Sequence, residues 1–115
     1  MNKNISQQII FDAANKIVGR LASSICQTLL GKNKVDYQKH ILNRDTVKII
    51  NINQLKFSGK KYSSKIYYHH SHYPGGLKEK LAKDMSKKDI LLMAISRMLP
   101  NNRQKNLLLK KITIE

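Results

Sequence analysis

The chain has 115 residues, with 22 Lys and Arg against 7 Asp and Glu, so it carries a net charge of +15 and a pI near 10.1. Its hydrophobic fraction of 41% suffices for one domain with a real core. The single cysteine excludes an internal disulfide and a multi-cysteine zinc site, and no apolar run approaches the ~18 residues of a membrane-spanning helix.

In chain order, the opening MNKNISQQIIF is too short and too polar for a secretory signal and lacks the Arg of a transit peptide, so the chain is expected to work where it is made or in mature form. Ile9-Ile10-Phe11 reads as a buried strand entering a turn at Asp12-Ala13-Ala14-Asn15. In VGRLASSICQTLLGK, Val18, Leu21, Ala22, Ile25 and Leu29 recur at helical spacing, and Gly31 supplies a left-handed stop. Cys26 lies beside that stripe, where a small core residue is the simplest reading. Thr46 to Ile52 is β-branched and mostly apolar, the pattern of a strand covered on both faces. Lys56-Phe57-Ser58 allows another short strand.

From Gly59 to Gly76 the chain is rich in Lys, Ser, Tyr, His and Gly, which predicts an exposed functional loop, ordered at most around Ile66. Helix is expected again over Glu79 to Met85. Ser86 then caps a further helix, KKDILLMAISRM, with Ile90, Leu91, Ala94, Ile95 and Met98 facing the core and Pro100 preventing continuation. A basic helix at about 102–111 leads into a short strand at Ile112-Thr113-Ile114. Strands alternating with helices predict an α/β domain with a mostly parallel sheet.

The bases fall in scattered clusters rather than in one tail, which suits a folded body touching a polyanion at several places. The stretch YYHHSHYPGGLK, residues 67–78, is the sharpest local signal. A metal site would need its histidines to converge, but adjacent His69 and His70 point apart in any regular structure. Catalysis would need a nucleophile with a positioned base, and no such motif surrounds Ser71. Nucleic-acid contact uses every residue type present: Tyr67, Tyr68 and Tyr73 to stack, histidines to donate, and Lys60, Lys61, Lys65 and Lys78 to meet phosphates. Tyr73-Pro74-Gly75-Gly76 suits a type II turn.

These residues carry a resemblance. DAANKIVGRLASSICQTLLGKNK, VKIINI, FSGKKYSSKIYYHHSHYPGGLK and AISRMLPNNR resemble, in that order, the large-ribosomal-subunit protein L-thirteen family over about residues 10–112. The resemblance implies a three-layer α/β/α fold around a small, mainly parallel sheet of about four strands. It implies a non-enzymatic, cofactor-free constituent of the large subunit, whose partners are large-subunit rRNA and neighbouring ribosomal proteins, not a membrane or a small molecule, and which takes part in assembly and translation. Carried over by position, the rRNA contacts are Gly19, Arg20, Lys32, Lys34, Lys60, Lys61, Lys65, Tyr68, His69, His70, Gly75, Gly76, Lys78 and Arg103.

The chain departs from the family pattern in four places. Gln8-Ile9 replaces an aromatic, Asn43-Arg44-Asp45 lacks a glycine, Gln104-Lys105-Asn106 replaces Leu-Gly-Arg, and the sequence as given stops at Glu115, where relatives often continue with a Gly- and His-rich tail. With the Lys- and Asn-rich composition, these departures suggest the ribosome of an organelle, a mitochondrion ahead of others, or that of a bacterium with a reduced genome. The rival readings are a free-standing nucleic-acid-binding module and a small metal-dependent hydrolase built on the histidines.

Overall fold

The computed structural model describes residues 6–115, so the start of MNKNISQQIIF lies outside it. Strand β1 (Gln8–Asp12) leads into helix α1 (Val18–Leu30), and strand β2 (Thr46–Ile50) follows the long connection after that helix. A four-residue helix α2 (Lys61–Ser64) precedes strands β3 (Ile66–His70) and β4 (Leu77–Leu81). Helices α3 (Lys87–Met98) and α4 (Gln104–Leu109) and strand β5 (Ile112–Ile114) complete the order. The architecture is α/β with a small parallel sheet in the order β1-β2-β5, and β3 and β4 form a separate antiparallel hairpin.

Strand β2 is central because its sequence can be buried. Val47 and Ile49 are fully enclosed, and the strand pairs Ile9 with Val47 on one side and Val47 with Ile112 on the other. Strand β1 is an edge strand rather than a buried one: Ile9 and Phe11 are half-buried, but Ile10 is exposed. Lys56-Phe57-Ser58 contributes only an isolated parallel bridge between Ile17 and Lys56, so the sheet itself keeps three strands.

Helix α1 buries Val18, Leu21, Ala22, Ile25, Cys26 and Leu29 along one stripe and packs on α3, which offers Ile90, Leu91 and Ile95. Gly31 ends α1 at φ +75°, with its N–H on the Thr28 carbonyl and the Lys32 N–H on the Gln27 carbonyl, the paired bonds of a left-handed helix stop. The Ser86 hydroxyl accepts the Asp89 N–H at 3.2 Å and caps α3.

The helix expected over Glu79 to Met85 does not form. Its first residues belong to β4, and only Ala82–Asp84 make a single 3₁₀ turn. Good local helix formers are overridden here by the complete ladder that β4 makes with β3, from Ile66–Leu81 to His70–Leu77. By the same pairing, residues 66–81 form a hairpin around a turn at 71–76, and with α2 before it the segment is not one long loop.

Candidate nucleic-acid interface

The hairpin is an arm. Every residue from Tyr68 to Lys80 is exposed except Gly76, which is intermediate. Its end is closed by the Gly76 N–H donating to the Tyr73 carbonyl at 2.9 Å, with Gly75 at φ +74°, which is the predicted type II geometry. Gly76 is needed for a second reason: a Cβ there would run into the Ser71 Oγ and come within 2.9 Å of the Tyr73 carbonyl oxygen.

Register sorts the arm's side chains. Directly opposed residues of an antiparallel pair share a face. Tyr67 faces Lys80 and His69 faces Lys78, so one face is cationic. Tyr68 faces Glu79 and His70 faces Leu77, so the other carries an aromatic ring, an apolar side chain and a carboxylate. Tyr68 and His70 therefore lie on one face of the arm and His69 on the other, because neighbouring strand residues point opposite ways. Lys80 joins Lys78 on the cationic face, a partnership that periodicity hides because the segment reads as helix.

At the arm's base, the Tyr67 ring is half-buried, with the Lys65 Nζ 5.5 Å and the Arg97 guanidinium 5.6 Å from its centroid. Tyr67 thus holds two cations rather than offering a free stacking face. A cleft of about 150 Å³ beside it is lined by Gly19, Lys61 and Lys65 among others, so the start of α1 meets α2 and the hairpin. Lys60 opens α2, its carbonyl accepting the Ser63 and Ser64 hydroxyls. Arg20 borders a different hollow, with Asp12, Asn15 and Lys16.

Lys32 and Lys34 lie at the far end of α1, roughly 18 Å along its axis from Gly19. Lys32 is exposed, but the Lys34 ammonium is committed: it lies 2.8 Å from the buried Asp45 carboxylate and 3.0 Å from the Asn43 Oδ1. Burial alone would raise the Asp45 pKa. The Lys34 ammonium, the Gln7 N–H and the Asn43 amide outweigh it and hold the carboxyl below its ordinary value. The Asn43 amide also donates to the Thr28 carbonyl, and the Lys111 ammonium donates to the Asn43 carbonyl. The Asn43-Arg44-Asp45 departure thus sits at the centre of a structural clasp. Arg103 precedes α4, and the neighbouring Gln104 amide donates to the His40 carbonyl, bringing that helix start to the connection after α1.

Among the described residues no three His, Cys, Asp or Glu side chains come together as a metal-ligand group. His70 is engaged otherwise: its Nδ1 accepts the His72 N–H at 2.8 Å, with His72 at φ +67°.

The family model described as ribosomal protein L13 matches residues 6–114. A large ribosomal subunit protein uL13 of Syntrophus aciditrophicus is 41% identical over 108 residues, covering 91% of this chain and 76% of the relative. The protein of that name from Mycoplasma mycoides is 51% identical over 98 residues, or 83% of this chain and 65% of the relative. That of Lawsonia intracellularis is 42% identical over 116 residues, or 97% and 81%. With a match over nearly its whole length and relatives at this identity, the chain belongs to the ribosomal protein L13 family.

Proposed function

We propose that this chain is a structural constituent of the large ribosomal subunit that binds large-subunit rRNA, neighbours other subunit proteins and takes part in subunit assembly, without enzymatic activity. The observation that carries the reading is a family match over residues 6–114 in a chain of charge +15 that extends an exposed cationic arm. The contacts follow the geometry. Lys60, Lys61, Lys65, His69, Lys78 and Lys80 meet phosphates around the arm, Gly19 and Arg20 lie at the start of α1, and Lys32 after α1 and Arg103 before α4 add further contacts. Gly75 and Gly76 set the turn and allow close approach. Lys34 is a further candidate contact, although its ammonium is also engaged by Asp45.

A salt titration on an rRNA transcript tests this. Each phosphate neutralised adds about 0.7–0.9 to the slope of log affinity against log salt. Lys60→Ala combined with Lys61→Ala should flatten the slope by up to about 1.4–1.8. An unchanged slope removes the two lysines from the interface, and a wild-type chain that fails to co-sediment with large subunits ends the reading.

A further inference from the structure

Glu79 is an anomaly on this arm. The chain has few acids, and several are engaged within the fold. Asp12 accepts the Ala14 N–H and the Asn51 amide, Asp45 anchors the clasp, and Glu115 pairs with Lys48. Glu79, like Asp36, Asp84 and Asp89, forms no ion pair among the described residues, but it alone of these stands on the arm, where Lys78 and Lys80 adjoin it in sequence. The strand pleat explains this, since both lysines project from the opposite face. The carboxylate is left on a face with Tyr68, 58% exposed, and Leu77, 53% exposed. His70 completes the face with its Nδ1 already occupied by the His72 N–H, so Nε2 is its remaining polar atom.

We infer that this face receives one unstacked guanine base of the bound RNA, with Tyr68 as the stacking platform and the Glu79 carboxylate accepting from the base's N1–H and N2–H groups. The inference rests on the RNA-binding reading above and assigns its specificity. A phosphate is disfavoured here, because Glu79 repels it and the face carries no Lys. An unpaired base suits it, because aromatic stacking needs no charge and splayed bases expose their Watson–Crick edges. Guanine is singled out because it alone sets two N–H donors side by side on that edge, matching two carboxylate oxygens. Adenine and uracil place acceptors beside their donor, and cytosine offers one donor group. The charge complementarity runs opposite to the rest of the molecule: an acceptor-only group within a cationic surface is placed to select a donor edge. Tyr68 and Glu79 are directly cross-strand, with Cβ atoms about 5 Å apart in such pairs, which a stacked purine spans.

The test is kethoxal footprinting, because the reagent attacks N1 and N2 of unpaired guanine. The full chain is bound at saturation to a large-subunit rRNA transcript. One reactive guanine should become protected, and Glu79→Gln and Tyr68→Ala should each restore its reactivity. Both residues are exposed, so the variants should melt like wild type, and Tyr68→Ala should weaken transcript binding about tenfold. Lys78→Ala with Lys80→Ala should lower affinity and flatten the salt slope, yet leave the guanine protected once binding is saturated. A wild-type chain that binds the transcript without protecting a guanine overturns the inference. So does protection that survives both Glu79→Gln and Tyr68→Ala, including the case in which those variants lose a neighbouring subunit protein instead. Failure of the wild type to bind the transcript at all sinks the RNA-binding reading itself.

Discussion

Asp45 shows what one enclosed carboxylate asks of its surroundings. It is 2% exposed and accepts from Gln7, Asn43 and Lys34, residues drawn from the lead-in to β1 and from the connection between α1 and β2. Its carboxyl is held below the ordinary value, so the unfolded chain takes up a proton first as pH falls. The stabilisation it supplies is therefore complete above about pH 4 and is lost as pH drops through its lowered folded value. Asp45→Ala should cost about 2 kcal/mol at neutral pH, because donors lose a charged acceptor, and should flatten the acid limb of a stability–pH curve measured by urea unfolding. Little that is local announces this residue: Asn43 is near it in sequence, but Gln7 and Lys34 reach it only in three dimensions. Cys26 is legible, because its place beside a helical stripe is a one-dimensional fact. It is buried, burial pushes its thiol up to about 11, and its Sγ lies 3.6 Å from the Ile95 carbonyl. Folded protein should therefore react with thiol reagents far more slowly than urea-unfolded protein, and Cys26→Ala should leave RNA binding intact.

Among the elements, the hairpin separates local from tertiary information. Its turn is readable from Pro74-Gly75-Gly76, since only certain residues accept those dihedrals. Its second strand is not, because Leu77 to Asp84 is composed of helix formers and only pairing with β3 makes it extended. Two substitutions probe the turn. Gly75→Val places a β-branched residue at φ +74°, though no atom lies within 4 Å of its Cβ, so its cost is conformational. Gly76→Ala meets the Ser71 hydroxyl and the Tyr73 carbonyl, so its cost is steric, and Ser71→Ala should relieve it only in part. Both should speed amide exchange at Ser71 and Gly76 and weaken RNA binding while moving the melting temperature little, because the turn is exposed and no core residue lies in it.

Over the whole molecule, stability rests on the contact of α1 with α3 and on the sheet beneath. Leu21 is 5% exposed and Ile95 fully buried. Leu21→Ala and Ile95→Ala should each cost about 2–5 kcal/mol, read from urea midpoints. Against the usual 5–15 kcal/mol of a domain, either change is severe. The helical stripes, the alternation of strand and helix and the α/β class are visible from periodicity. The edge position of β1 is not, because an apolar triplet looks the same at the rim of a sheet as at its centre.

The placement of β2 has a consequence for how the protein comes into being. It pairs with both other strands of its sheet, and its second partner, Ile112–Ile114, is far along the chain from Val47–Ile49. Until that distant segment arrives, one side of the most buried strand presents unsatisfied amide and carbonyl groups, a template that any extended segment of another molecule can extend. Such long-range parallel pairing is slow to nucleate. The nascent protein therefore passes through an aggregation-prone interval whose length is set by topology rather than by final stability.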